Sequence, residues 1–178
     1  MCAQVRDLTG EQPDDLERFA LYSQISQAEA LKRFVEAFRT AMPRKSGIIW
    51  WNLIDGCPQI SDAVVDYYGG KKRAYDAIRN VQHDQLVLVR DDHAVVAVND
   101  TLKPVSGKVR IADRESGRTL FEATYAVPSN AAKVIGSVDW SGQGFLDIAY
   151  EQGGESHTNG FLYGEPPFDF EKVKAWLK

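Results

Sequence analysis

Cysteine, methionine and histidine are scarce in this 178-residue chain, which holds 2, 2 and 3 of them. Cys2 and Cys57 fit no metal-ligand or disulfide spacing, so a reducing compartment, the cytoplasm, is the default expectation. Met1 to Asp7 carries no charged-then-apolar-then-small pattern, and a periplasmic or secreted location would require that an upstream signal has been removed. His83, His93 and His157 read as isolated at turns or strand ends. A metal site needs several converging ligands, so neither a metal nor a cofactor is expected. There is no Gly-rich phosphate loop, because Gly69-Gly70 and Gly153-Gly154 lack the necessary flanks. Ser23, Ser26, Ser46 and Ser61 occupy no nucleophile elbow. No apolar run approaches the roughly 20 residues of a membrane span. A formal net charge of −4 gives no footprint for nucleic acid or an anionic membrane, and Lys71-Lys72-Arg73 reads as a solvated helix start.

What is present is an ordinary globular balance, 44 % apolar and 26 % charged, long enough for one domain or two small ones. Residues 14–82 read as helix, strand, loop, helix. Leu16, Phe19, Ile25, Ala28, Leu31, Phe34, Val35 and Phe38 give a long amphipathic helix with Asp14-Asp15 at its positive end. A second helix is expected from about Lys71 to Val81, with Ala74, Ala77, Ile78 and Val81 inward. From His83 the period changes to two. Leu86–Val89, Ala94–Val98, Lys108–Ile111, Thr119–Tyr125, Lys133–Ile135, Phe145–Tyr150 and Asn159–Tyr163 read as seven short strands with turn signals between them. That spacing suggests an immunoglobulin-like β-sandwich, with a short helix from Phe168 to Leu177 to close it.

The most informative stretch is Gly47-Ile48-Ile49-Trp50-Trp51-Asn52-Leu53-Ile54-Asp55-Gly56-Cys57-Pro58. It starts as a strand apolar on both faces, as a central parallel strand must be, and ends in aromatic, amide and carboxylate groups. Open α/β sheets and barrels place ligand chemistry at the carboxyl ends of such strands. An indole face there can stack on pyranose C–H groups, while Asn52 and Asp55 bind hydroxyls. The plainer alternative is that the tryptophans are core and Asp55 caps a turn. Trp140, beside Ser141-Gly142, offers a second indole but more simply packs on its own hairpin.

Several motifs in order carry a family resemblance. The run Tyr22-Ser23-Gln24 to Gln27-Ala28-Glu29-Ala30-Leu31, the Gly47–Pro58 stretch, then Ser61, Asp66-Tyr67-Tyr68-Gly69 and Lys72, resemble the end of the catalytic barrel in family 2 glycoside hydrolases. The β-mannosidase branch is the nearest match. The closing Phe161-Leu162-Tyr163-Gly164-Glu165-Pro166-Pro167-Phe168-Asp169-Phe170 is similar to that family's C-terminal signature. The resemblance implies an α+β composite: the terminal helix–strand–helix of a (β/α)8 barrel over residues 1–82, then an immunoglobulin-like sandwich with a short C-terminal helix over residues 83–178.

Family 2 enzymes retain configuration with two glutamates about 5 Å apart across the scissile bond. In the family both lie on barrel strands before the Tyr22 helix, so this chain is expected to lack them. Glu29 and Glu36 are no substitutes, since Glu29 belongs to the helix motif and Glu36 reads as part of a solvated face. The resemblance therefore implies a C-terminal fragment of a retaining hydrolase of β-linked sugars, inactive alone, with no catalytic residue of its own. The alternative is a carbohydrate-binding or structural, oligomer-building module. Trp51, Asn52 and Asp55 are the expected substrate-binding residues, with Trp51 flooring a sugar subsite. Cys57 and Gly160 depart from the pattern, standing where the family commonly has tryptophan and histidine. The expected partners are carbohydrate in the intact parent and the missing N-terminal part of the barrel. A homo-oligomer is also possible, because an unpaired Ile48–Leu53 strand should either self-associate or be covered by the long helix.

Overall fold

The computed structural model describes residues 2–152 and 154–177; Gly153 of the expected Gly153-Gly154 turn lies outside them. In chain order the elements are α1 (Cys2–Thr9), α2 (Leu16–Arg39), α3 (Arg73–Asn80), β1 (Gln85–Val89), β2 (Ala94–Asn99), β3 (Val105–Asp113), β4 (Thr119–Val127), β5 (Ala131–Ser137), β6 (Gly144–Gln152), β7 (Glu155–Tyr163) and α4 (Phe170–Trp176). They fold as two compact units. One comprises Met1–Val35, Ile48–Asn80 and Glu165–Lys178; the other comprises Glu36–Gly47 and Val81–Gly164.

The second unit holds all seven strands. β1-β2-β5 form one sheet and β4-β3-β6-β7 the other, every pairing antiparallel. Successive side chains on a strand point to opposite faces, and the buried residues follow that rule. Val109 and Ile111 of β3 and Leu146, Ile148 and Tyr150 of β6 meet Val87, Val89, Val95 and Ala97 from the other sheet in one core. β1 and β2, apolar almost without interruption, are buried on both faces after their first residue. Each strand lies where period-two alternation puts it and extends a residue or more beyond the apolar run. β3, for instance, reaches from Val105 to Asp113 rather than only Lys108 to Ile111. In the constant-type immunoglobulin arrangement the fourth strand joins the sheet of the first two. Here β4 pairs with β3 instead, across the Asp113–Gly117 turn.

The first unit is helical. Asp15 Oδ1 accepts the Arg18 amide at 2.8 Å and starts α2. Tyr22, Ile25 and Ala28 form the buried side of that helix. The C-terminal piece from Glu165 clusters with this unit, although the expected 83–178 domain grouped it with the strands. Its α4 is capped by Asp169, which accepts the Glu171 and Lys172 amides, and Phe170 stacks on Tyr22 with ring centroids 3.3 Å apart. Phe168 N donates to Leu8 O at 2.7 Å, tying α1, which has no counterpart in the sequence reading, to the same unit.

The expected Ile48–Leu53 strand does not form. Its backbone is irregular, with only an isolated parallel bridge between Ile54 and Val65. A parallel strand needs neighbours to take its N–H and C=O groups along its length, and the described residues supply only Val64 and Val65, at its end. Ile49 is 97 % exposed, whereas Trp50 packs against the small core to which α2 contributes Ala28.

Candidate functional site

The loop from residue 51 to 72 is built on two short backbone rungs. Val65 N donates to Leu53 O at 2.9 Å and Asp55 N to Val65 O at 3.1 Å; Lys72 N then donates to Val64 O at 2.9 Å. The helix motif holds this loop from behind. Gln27 Nε2 donates to the Asp62 and Ala63 carbonyls at 2.7 and 3.2 Å, and Gln24 Oε1 accepts the Arg73 amide at 3.3 Å. Asp66 closes the Tyr68–Gly70 turn by accepting the amides of both residues at 2.8 Å, and Gly69 supplies the positive φ that the turn requires. Ala28, Val64, Ala74 and Ile78 form the small core beneath, with Trp50 packed against it.

The three expected sugar-binding residues point to three different fates. Trp51 is 83 % exposed and presents its indole to solvent. The peptide linking it to Asn52 is cis. Asn52 is half-buried and folds back, its Nδ2 donating to Ile54 O at 3.3 Å. Asp55 turns inward and is only 4 % exposed. Its Oδ2 is 2.8 Å from Lys72 Nζ, and its Oδ1 accepts from the Ser61 hydroxyl and from Gln59 Nε2. The bonds from Lys72 and Ser61 hold its carboxyl below the usual carboxylate range, against the opposing effect of desolvation. Asp55 is thus held within the loop's own network, while Trp51 stays exposed. Lys72 and Ser61 escaped selection as partners of Asp55, although both stood in the motif that carries the resemblance.

Burial and contacts decide the remaining candidates as well. Glu36 is not on a solvated face: it is 4 % exposed and accepts from Asn159 Nδ2 at 2.9 Å. Trp140 stacks on His93 with centroids 3.8 Å apart and leans on Phe161 and Tyr163, so its indole is spent on packing. His83 and His157, isolated in sequence, have ring centroids 5.3 Å apart. Among the described residues, no group of three or more His, Cys, Asp or Glu is arranged to hold a metal ion. The same residues contain no helix long and apolar enough to cross a membrane.

No protein-family model matches the chain. Beta-mannosidase B of Aspergillus niger is 30 % identical over a 129-residue alignment that takes in 61 % of this chain and 15 % of the relative. The β-D-mannosidase of Dictyoglomus thermophilum superposes with a TM-score of 0.77 at 22 % identity, covering 92 % of this chain and 22 % of that one. The exo-chitosanase of Amycolatopsis orientalis gives 0.71 at 16 % identity, covering 89 % of this chain and 21 % of that one. The chain therefore spans about a sixth to a fifth of the length of these proteins. In sequence and in fold it is similar to the C-terminal portion of family 2 glycoside hydrolases of the β-mannosidase kind.

Proposed function

We propose that these 178 residues act as the C-terminal portion of a retaining glycoside hydrolase of β-linked sugars, of β-mannosidase type, with residues 1–82 contributing the last part of its catalytic barrel. The observation that carries the reading is Trp51, a large indole left 83 % exposed on a loop that is itself pinned by the Asp55–Lys72 ion pair. A rigid, exposed aromatic is suited to stack on the C–H face of a pyranose at low ordering cost. Asn52 stands next to it, and its amide can exchange the Ile54 carbonyl for a sugar hydroxyl. Asp55 acts behind them as a positioning residue. In this reading the acid/base and the nucleophile, about 5 Å apart as retention requires, come from polypeptide beyond these residues. The seven-stranded, immunoglobulin-like sandwich supports the barrel. The exposed Ile49, Leu53 and Ile54 are then the face that the rest of the barrel covers. The free, exposed thiols of Cys2 and Cys57 favour a reducing compartment such as the cytoplasm.

Tryptophan fluorescence titrated with D-mannose tests the subsite: a saturable change in the wild-type chain should vanish in Trp51→Ala. A change that persists in that variant refutes Trp51 as the sugar platform. Turnover of an aryl β-mannoside by the purified chain would refute the assignment of both carboxylates to other polypeptide. The same exposed apolar residues favour one second reading, a self-associating module. Light scattering distinguishes it, since a monomer at high concentration rules it out.

A further inference from the structure

Of the five asparagines in the chain, only Asn99 opens an Asn-x-Ser/Thr tripeptide, Asn99-Asp100-Thr101, the acceptor signal for an N-linked glycan. Such acceptors belong on surface loops. Asn99 instead ends β2 and is 0 % exposed. Its amide is saturated. Nδ2 donates to Lys103 O at 2.8 Å and to Pro128 O at 2.9 Å. Oδ1 accepts the Thr101 amide at 3.0 Å and the Thr101 hydroxyl at 2.7 Å. Two donors and two acceptors are all that an asparagine side chain has. These partners also fix which way the amide faces, since two carbonyls can meet only its N–H groups.

The other two residues are held as well. Asp100 N donates to Asp84 O at 2.8 Å, and the Asp100 carboxylate accepts from Arg39 Nη2 at 2.6 Å. Thr101 O accepts the Asn130 amide at 3.0 Å. The tripeptide thus clasps the β2–β3 loop to the β4–β5 turn and to the residue preceding β1. Glycan transfer forms a bond from Nδ2 to a sugar C1, expels a lipid pyrophosphate and removes one Nδ2 proton. The transferase must therefore hold Nδ2 in its own active site, which a buried and saturated amide cannot enter. Transfer before folding has the converse effect. The modified nitrogen keeps one proton for two carbonyls, and a buried carbonyl without its donor is destabilising. The sugar itself has no place beside a side chain that solvent does not reach.

We propose that the folded sandwich and a glycan at Asn99 exclude each other: the closed clasp bars transfer, and a glycan attached first bars the clasp. The unit then forms only where this acceptor stays bare. None of this depends on Trp51 or on the function proposed above. The test offers a purified oligosaccharyltransferase and its lipid-linked sugar the folded full chain and, separately, the synthetic peptide 91–103. Mass spectrometry should find the glycan on the peptide, and on the chain at a rate about a thousandfold lower or less, since only unfolded molecules can react. Equal rates would overturn the proposal, and so would a peptide that stays bare. In a second arm the full chain is exported through a glycosylating secretory pathway behind an added signal. Every molecule glycosylated at Asn99 should be sensitive to trypsin; a glycosylated, trypsin-resistant chain sinks the idea. Asn99→Asp removes the acceptor and sets a carboxylate oxygen against the Lys103 and Pro128 carbonyls. Its urea midpoint should fall by about 1 M, and an unchanged midpoint would mean that the amide is no clasp.

Discussion

The sandwich unit and the helical unit solve the same problem to different degrees. In the sandwich every strand finds a partner within the chain, and the apolar residues of both sheets meet in a shared core. In the helical unit, α2 and α4 pack well on each other through Tyr22 and Phe170, yet the most apolar segment, Ile48 to Ile54, is left extended and exposed. Both segments have the apolar content of a buried strand. The difference is that β1 and β2 have each other, whereas the Ile48–Ile54 segment has one bridge to Val65. Hydrophobicity makes a strand worth burying; only a partner edge makes it a strand.

Four measurements test this contrast. The largest effect is expected at Leu146, wholly buried between the sheets. Leu146→Ala should lower sandwich stability by about 3 kcal/mol in urea titration, and a loss under about 1 kcal/mol would mean that the two sheets do not share a tight core. Next comes Gly160 on β7, where an added Cβ would collide with the Phe145 ring. Gly160→Ala should cost about 2 kcal/mol from overpacking, which also gives a steric reason why a larger residue is not accommodated there.

In the helical unit the effects are smaller and depend on pH. The Asp55 carboxyl is held below its ordinary value of 3.8, so its contribution is complete above that value and is lost as pH falls through the folded one. Protection of the Lys72 amide against hydrogen exchange should therefore decline on acidification. Asp55→Asn should show reduced protection at neutral pH and little further loss in acid. Equal pH dependence in the two proteins would remove Asp55 as the clamp of the loop. The smallest effect on stability is expected for Trp51→Ala, within about 0.5 kcal/mol because the side chain is exposed. A substantially larger loss would mean that the indole is packed in solution, and that the exposed platform is wrong.

Much of the fold was legible from residue order. Seven alternating segments became seven strands, and the apolar spacing from Leu16 became α2, because alternation and the helical period are local properties of the chain. The link between α1, α2 and α4 was not legible, since it rests on Tyr22 meeting Phe170 across nearly the whole chain. At the candidate site, type and position singled out Trp51, which the structure leaves 83 % exposed. The inward turn of Asp55 toward Lys72, seventeen residues on, was not. Glu36 shows the same limit: it sits beside α2's apolar face in helical spacing, and only β7, through Asn159, explains its burial.

The order of amino acids decided which segments would be strand or helix and which known enzymes the chain resembles, since both depend on neighbours a few residues apart or on short motifs. Tertiary contact decided that Asp55 is a clamp and Trp51 a free surface. It also brought Gln85 and Gln152, 67 positions apart, to the same end of the sandwich. The physical reason is that burial and pairing are properties of the company a residue keeps in space, which chain-local periodicity does not encode.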